Sequence, residues 1–385
     1  MKIIMIIDNL GIGGAQQSVV TLSQAFSSRG LDVTIVSVEN HIQITVPETV
    51  HLHCLTEKKE ITGVRLVDRF FLALRLKKYL KRINVTEADM VVTNLYHAHA
   101  VTALAGIDNA YYVVRSTMSL NISVRKGLHL RCMLATRRLA RMYRNKHIIA
   151  ISNGVKNDLL SNLKITPKTI HTIYNPFNFE KIRQLSLAPC LAIPNVTYIL
   201  AVASYKRQKR LDVLLWAYAK SNIRQKLVIL GGGSREKKKD LENLAKQLNI
   251  KDRVHFAGWE YNPYPWIRHA DLLVLSSETE AFGRVIVEAL ALGVPVVSTD
   301  VPFGGPKEIL TGKLSACLAP INDCDRLAST IQDVLKNPPG PPSNHLTQFS
   351  ASIICDAYLD LKSNVSRAWK RTITPEPHYL DDCVC

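Results

Sequence analysis

The chain has 385 residues, of which 47% are apolar and 21% are charged, and this balance excludes an intrinsically disordered protein. Its formal net charge of +17 favours a polyanionic partner, such as a membrane with acidic lipids, nucleic acid or a phosphorylated substrate. The eight cysteines form no C-x-x-C pair and no apolar run could span a bilayer, so we expect a cytoplasmic protein with reduced cysteines.

The first half of the chain alternates short apolar runs with helical patterns. Ile3–Ile7 predicts a strand buried on both faces, followed by a glycine-containing loop, a helix over 15–28 and a strand at Val33–Val38. Further strands are predicted at Met90–Thr93, Ala110–Val114 and His147–Ile151, with a helix over 128–144. This alternation predicts a parallel sheet and a first Rossmann-like domain over 1–183.

The stretch 181–195 contains Pro189 and Pro194 and is predicted to be an irregular linker. A second alternating series of strands follows, at Tyr198–Val202, Leu227–Leu230, Val254–Phe256, Leu272–Leu275 and Val296–Ser298. We therefore predict a second domain over 195–345, a helix over 346–363 that crosses back to the first domain, and a loosely held tail over 364–385. The predicted fold class is α/β, with two Rossmann-like domains facing a cleft.

Two glutamates flank the start of a predicted helix in the second domain. Glu280 follows the strand Leu272–Leu275, at the sheet edge where ligands bind and where free N–H groups suit a phosphate. Glu288 lies within an otherwise apolar helix, and its burial requires hydrogen-bond donors such as sugar or ribose hydroxyls. The alternative is that Glu288 pairs with a structural lysine or arginine and that Glu280 is a solvated loop carboxylate.

Glu280 through Glu288 resembles the E-x7-E motif of the retaining GT-B glycosyltransferases of family 4, and residues 270–310 resemble that family almost position by position. Gly13-Gly14-Ala15 and the segments 151–155 and 173–176 are similar to other motifs of the family. The resemblance implies a transferase that uses a nucleotide sugar, with the acceptor in the first domain and the donor in the second. It also implies a place in bacterial lipopolysaccharide, O-antigen or capsule synthesis.

The resemblance implies roles for individual residues. Glu280 would hold the donor sugar, Glu288 the ribose and Lys209 the diphosphate. Ser204 stands where the family has an arginine, and Arg207 is a candidate substitute. The remaining donor-site candidates are Gly13, Gly14, Gly232, Trp259 and the backbone of Phe282, Gly283 and Arg284. A tight turn at Gly232 and a core position for Trp259 are the structural alternatives.

Cleavage of the donor places negative charge on the departing diphosphate. Lys209 and the helix start at 283–285 would stabilise that charge, so we expect no metal and no cofactor. The D-x-D sequence Asp323-Cys324-Asp325 is interpreted as a helix cap. The catalytic candidates are Glu280, Lys209 and His97.

Acceptor candidates follow strands of the first domain. Asn94 and His97 come after Met90–Thr93, and Arg115 after Ala110–Val114, where it could meet an acceptor phosphate. A purely structural role for His97 is the alternative. Between Asp108 and Asp158 there is no acidic residue, which predicts a basic helix facing an anionic membrane; the basic residues include Arg115, Arg125, Lys126, Arg131, Arg137, Arg138, Arg141, Arg144 and Lys146. We therefore expect a lipid-linked saccharide acceptor and a peripheral position on the inner face of the cell membrane.

The sequence allows three other interpretations. Gly11 and Gly13, with Glu39 after the next strand, imitate a dinucleotide-binding fingerprint of a nicotinamide-dependent oxidoreductase, but Gln16 occupies the third glycine position. A nucleic-acid-binding protein would fit the charge, yet the basic run lacks interleaved aromatic residues. A family member without catalytic activity is disfavoured because both Glu280 and Lys209 are present.

Overall fold

The computed structural model describes residues 1–57, 64–123, 129–190, 192–193, 195–340 and 344–373. Within these residues the chain forms two α/β units, each built on a parallel sheet. The predicted fold class of two Rossmann-like domains is confirmed.

The first sheet has seven strands among the described residues, in the order β3-β2-β1-β4-β5-β6-β7, and every pair is parallel. The strands are β1 (Lys2–Ile7), β2 (Asp32–Ser37), β3 (His51–Cys54), β4 (Met90–Asn94), β5 (Tyr111–Val114), β6 (His147–Ala150) and β7 (Thr169–Thr172). The strand order reverses between β1 and β4, which creates a crevice at their carboxyl ends.

The helices of this unit are α1 (Gly14–Ser27), α2 (Arg65–Arg82), α3 (Tyr96–Leu104), α4 (Met118–Ser123), α5 (His129–Tyr143), α6 (Asn153–Asn157) and α7 (Phe179–Ser186). The central strands are buried because helices cover the sheet, and Ile3–Ile7 has no exposed surface.

The second sheet has six strands in the described part of the chain, in the order β10-β9-β8-β11-β12-β13. They are β8 (Tyr198–Val202), β9 (Lys226–Leu230), β10 (Val254–Gly258), β11 (Leu272–Leu275), β12 (Val296–Asp300) and β13 (Leu318–Pro320). The helices are α8 (Leu211–Ser221), α9 (Arg235–Gln247), α10 (Tyr264–Arg268), α11 (Arg284–Ala291), α12 (Pro306–Ile309) and α13 (Cys324–Lys336). Here the order reverses between β8 and β11.

The last helix, α14 (Ala351–Ile373), returns to the first unit as predicted. The ring of Tyr358 packs edge-on against that of Phe26 in α1, and Leu361 O accepts a hydrogen bond from the Tyr111 hydroxyl at 3.4 Å. Arg29 pairs with Asp356 at 2.7 Å. The helix thus extends ten residues beyond the predicted boundary at 363, into the predicted tail of 364–385. The rest of that tail, 374–385, lies outside the described residues, as do Arg125 and Lys126.

The prediction of an irregular linker over 181–195 is wrong for its first part, which belongs to α7. Asn178 caps this helix, since its side chain accepts a hydrogen bond from Lys181 N at 2.9 Å, and Ile182 is buried on the inner face. The helix ends at Ser186, before Pro189, so the connection between the two sheets is shorter than predicted.

Candidate donor and acceptor cleft

A cleft of about 330 Å³ lies between the carboxyl edges of the two sheets. The first unit contributes Gly14, Ala15, Leu95, Arg115, Ile151 and Asn175 to its lining. The second contributes Ala201, Val202, Ala203, Lys209, Leu211, Val274, Leu275, Ser276, Ser277 and residues 280–285. Its volume is in the range of small-molecule sites, and it joins the crevices that the two strand reversals create.

An ion pair between Lys209 and Glu280 lies in this cleft. Lys209 Nζ is 2.5 Å from Glu280 Oε2, and the Ser277 hydroxyl is 3.5 Å from the same oxygen. The loop after β8 carries Lys209 and the loop after β11 carries Glu280. The two loops are joined where Ser276 Oγ donates to Lys209 O at 2.9 Å. The structure therefore brings these two predicted catalytic residues together.

The start of α11 opens into the cleft beside this pair. Gly283 has a φ of 92°, in the left-handed region where glycine is favoured, and no side chain caps the helix. The first N–H groups of a helix and its dipole suit an anion. The predicted donor-site residues Phe282, Gly283 and Arg284 all line the cleft.

Glu288 is buried one turn into α11 and does not belong to the cleft lining. Its Oε1 lies 3.4 Å from Nη2 of Arg284, which does line the cleft. Burial raises the pKa of the Glu288 carboxyl, and the neighbouring Arg284 offsets this shift only in part. The pairing with arginine that the sequence left open is thus present in this structure.

Arg284 reaches across to the first unit, which the sequence did not indicate. Its Nη1 donates to Ser18 Oγ at 2.8 Å and to Pro176 O at 3.3 Å, and its guanidinium lies 4.2 Å from the centre of the Phe177 ring. A Cβ on Gly14 would approach Arg284 Cδ to 2.9 Å, so any larger residue there would force the arginine side chain to shift. Gly13 lies beside it but does not line the cleft.

Arg115 is the predicted acceptor residue that lines the cleft. It donates to Asn94 Oδ1 at 2.9 and 3.1 Å and to Asn175 Oδ1 at 2.6 Å. Burial, with a smaller effect of the Arg284 charge, lowers the pKa of Arg115 to about 10. Asn94 has no exposed surface, which argues against direct contact with an acceptor and favours a role in positioning Arg115.

His97 lies at the same edge of the first sheet, in a group of acidic residues. Its Nδ1 is 3.5 Å from Glu39 Oε1. Asp8 accepts backbone hydrogen bonds from Ala98 at 2.6 Å and from His97 at 3.4 Å. Burial raises the pKa of Asp8 to about 6, although these hydrogen bonds act against the shift. Asp8 and Glu39 follow the neighbouring strands β1 and β2. Their positions after adjacent parallel strands could have predicted that the two carboxylates lie near His97.

Four other donor-site candidates lie outside the cleft lining. Arg207 contributes to a separate cavity of about 340 Å³ with Tyr205 and Lys206, and Ser204 lines neither cavity. A Cβ on Gly232 would touch Trp259 Cβ at 3.6 Å, so the two are neighbours, and the Trp259 side chain is exposed. Their contact with a nucleotide stays a prediction.

The two units are also joined next to the cleft by contacts that sequence reasoning missed. Glu308 of α12 accepts hydrogen bonds from the backbone N–H of Asn153 at 2.9 Å and of Gly154 at 2.8 Å, and from the Tyr174 hydroxyl at 3.1 Å. Ser152 Oγ donates to Ala281 O at 2.8 Å. The first turn of α6 is therefore completed by a carboxylate of the other unit.

Asp323 and Asp325 of the D-x-D sequence have structural partners. Asp323 caps α13 by accepting from Arg326 N at 2.9 Å, and Asp325 pairs with Lys220 at 2.7 Å. In the part of the chain that the structure describes, no three histidine, cysteine or acidic side chains are grouped as metal ligands. No helix among the described residues is both long and apolar enough to cross a membrane.

Two family models match the chain, one on each unit. The model described as Glycosyltransferase Family 4 matches residues 12–181, and the model described as Glycosyl transferases group 1 matches residues 191–351. Together they include both halves of the cleft.

Two curated relatives are named as bacterial glycosyltransferases. The chain is 28% identical to the N-acetylgalactosamine-N,N'-diacetylbacillosaminyl-diphospho-undecaprenol 4-alpha-N-acetylgalactosaminyltransferase of Campylobacter jejuni, over 78% of this chain and 80% of the relative. It is 31% identical to the lipopolysaccharide 1,6-galactosyltransferase of Escherichia coli, over 42% of this chain and 45% of the relative.

Solved structures share the two-unit fold. Sucrose-phosphate synthase from Thermosynechococcus elongatus superimposes with a TM-score of 0.74 at 19% identity, covering 95% of this chain and 99% of that one. The Anabaena protein HepE in complex with UDP-glucose superimposes with a TM-score of 0.67 at 17% identity, covering 96% and 100%. At such identities the likeness establishes the fold alone.

Proposed function

Since the chain belongs to the family 4, group 1 glycosyltransferases, we propose that it transfers a hexose or N-acetylhexosamine from a UDP-sugar to a saccharide acceptor, with retention of configuration. The observation that carries the donor assignment is the Lys209–Glu280 pair beside the open start of α11. Family membership also removes the basis for the oxidoreductase alternative. HepE, a structural neighbour, was solved with UDP-glucose, which supports UDP over other nucleotides.

The proposed chemistry uses the charges of the cleft. The bond from the sugar C1 to the diphosphate oxygen breaks, and C1 forms a bond to an acceptor hydroxyl oxygen. The proton of that hydroxyl passes to the departing diphosphate oxygen. Lys209 and the N–H groups at the start of α11 stabilise the negative charge of the departing diphosphate. Glu280 accepts hydrogen bonds from hydroxyls of the donor sugar, and its pairing with Lys209 keeps both side chains in place before the donor arrives.

Thermal stabilisation and donor hydrolysis test the donor site. The protein is mixed in turn with UDP, UDP-glucose, UDP-galactose, their N-acetylhexosamine counterparts, GDP-mannose and NADH. We expect UDP and one UDP-sugar to raise the melting temperature, and NADH to have no effect. A shift with NADH or GDP-mannose and none with UDP would overturn the assignment.

A pair of matched substitutions tests the carboxylate. We expect Glu280→Gln to reduce transfer by about two orders of magnitude, as expected when one group that acts on the transition state is lost. The control is Glu278→Gln, two residues away, where the carboxylate lies 3.7 Å from Arg210. Equal activity of the two variants would remove Glu280 from the mechanism.

We further propose a lipid-linked saccharide of surface-polysaccharide synthesis as the acceptor, reached from the inner face of the cell membrane. Two relatives support this, since one is named for a diphospho-undecaprenol acceptor and one for lipopolysaccharide. Arg137, Arg141 and Arg144 of the basic segment are exposed, as a membrane-facing helix requires. With labelled donor and a bacterial lipid extract, we expect label in the organic phase; label only in water-soluble products would refute this acceptor class.

A further inference from the structure

Helix α2 exposes a group of large apolar side chains on the surface of the first unit. Its inner face is buried through Leu72, Leu76 and Leu80. On its outer face the first half of the helix carries apolar residues between 40% and 65% exposed; these are Leu66, Val67, Phe70, Phe71 and Leu74. A contiguous apolar patch of this kind marks an interaction site rather than ordinary surface.

The second half of α2 continues the same outer face with cations. They are all exposed: Arg75, Lys77, Lys78, Lys81 and Arg82. The acidic residue of the helix, Asp68, is buried. The outer face of α2 thus changes along its length from apolar to positively charged.

Helix α5 repeats this arrangement. Met133 and Leu134 are 50% and 55% exposed, and Arg137, Arg138 and Arg141 follow them on the surface. Both helices contact α3: α2 packs against it, and α5 is joined to it by a 2.8 Å hydrogen bond between Tyr143 and His99. The two surfaces therefore belong to one layer of helices.

The apolar halves of both helices lie toward the cleft. Helices α2 and α5 each lead into a strand of the same parallel sheet, so both run opposite to the strands and begin near the carboxyl edge. One contact fixes this position for α2, since the guanidinium of Arg69 lies 5.4 Å from the centre of the Tyr96 ring. Tyr96 precedes His97, the predicted acceptor residue.

We propose that the outer surface of α2 and α5 docks on an anionic phospholipid bilayer. The apolar first halves enter the boundary between headgroups and acyl chains, and the lysines and arginines of the second halves contact lipid phosphates. The saccharide end of the acceptor then reaches the cleft past Tyr96 while its lipid stays in the bilayer. This last step rests on the proposed lipid-linked acceptor.

The charge pattern favours a bilayer over a protein partner. Exposed charges on both helices have one sign, and they adjoin the apolar residues instead of alternating with acidic ones. Protein interfaces place few charged residues at the core of the contact, whereas amphipathic membrane-surface helices combine phenylalanine and leucine with many cations.

Vesicle sedimentation tests the apolar part of the surface. Wild-type protein should bind vesicles of equal parts phosphatidylcholine and phosphatidylglycerol, and bind pure phosphatidylcholine weakly. Phe70→Ser/Phe71→Ser should weaken binding by about tenfold or more for each phenylalanine. The control is Trp216→Ser on α8, which alters an aromatic residue of 44% exposure in the second unit and should leave binding unchanged.

A charge reversal tests the cationic part. Lys78→Glu/Lys81→Glu in α2 should abolish the preference for phosphatidylglycerol, whereas Lys239→Glu/Lys246→Glu in α9 should retain it. Both double variants change the net charge equally, so a difference between them reports the position of the charge.

Three results would overturn the proposal. Wild-type protein would fail to bind the anionic vesicles, or the α2 variants would bind like their controls. In the third result, wild-type protein would self-associate in solution and Phe70→Ser/Phe71→Ser would abolish the self-association. The outer surface of α2 would then be a contact between protein molecules. Thermal stabilisation by UDP is measured in parallel. If UDP does not stabilise wild-type protein, the proposed function is contradicted, whereas the vesicle assay tests the docking surface independently.

Discussion

Glu308→Ala is predicted to loosen the contact between the two units without altering the proposed donor site. The carboxylate accepts two backbone N–H groups at the start of α6, and the Ser152 hydroxyl accepts a third from Val155 at 3.1 Å. Because the first N–H groups of a helix have no partner within it, removing Glu308 leaves two of them without a protein acceptor.

The magnitude follows from the surroundings of these bonds. A hydrogen bond to a charged group contributes about 1.5–3 kcal/mol when it is buried. The bond to Gly154 is partly buried and that to Asn153 is exposed, so water replaces much of the second. We therefore expect Glu308→Ala to reduce the free energy that holds the two units together by about 2–4 kcal/mol. This lowers the ratio of protein with the two units in contact to protein with them apart by about 30- to 1000-fold.

Small-angle X-ray scattering and urea unfolding measure the two consequences. We expect Glu308→Ala to increase the radius of gyration and lower the unfolding midpoint. The control is Lys307→Ala, since Lys307 makes an exposed ion pair with Asp300 at 3.4 Å, worth about 0–1 kcal/mol. Identical scattering and unfolding curves for the two variants would refute the reasoning.

Three further predictions concern the interface and two carboxyls whose pKa is raised by burial. Gly154→Ala should open the interface in the same scattering assay, because the added Cβ would lie 2.3 Å from Phe303 O; an unchanged radius of gyration contradicts this. Glu288→Gln should preserve the free energy of unfolding, because burial raises the pKa of that carboxyl and so disfavours its charged form. The variant should also lack the decline in stability that the wild type shows as pH rises above 4.5, the ordinary pKa of the group. A large loss in the urea midpoint of the variant at neutral pH contradicts this. In the wild type, the free energy of unfolding should decline by up to about 3 kcal/mol between pH 3.8 and about 6, because protonated Asp8 favours the folded state. Asp8→Asn should remove this decline, and parallel pH profiles of variant and wild type contradict the prediction.

The sequence predicted the central strands well because they are buried on both faces and therefore form unbroken apolar runs. It missed three short edge strands with polar or proline residues, which are β3 (His51–Cys54), β7 (Thr169–Thr172) and β13 (Leu318–Pro320). Pro189 and Pro194 come after the end of α7, so they did not justify the prediction that the linker begins at residue 181.

The positions of Glu280 and Lys209 could be predicted because each follows a strand, and the ends of neighbouring parallel strands meet at one edge. The contacts between the two units could not be predicted. Arg284 and Ser18 are 266 positions apart, and Glu308 and Gly154 are 154 apart. Periodicity within each unit carries no information on how the two edges face each other.

The return of α14 to the first unit determines how the protein can be divided. Cys355, Tyr358 and Leu361 are buried, and Tyr358 contacts Phe26 of α1. A fragment that ends after α7 would expose to water the apolar surface of the first unit that these side chains cover. We therefore expect an amino-terminal half to require the α14 segment, supplied in trans or grafted after residue 186.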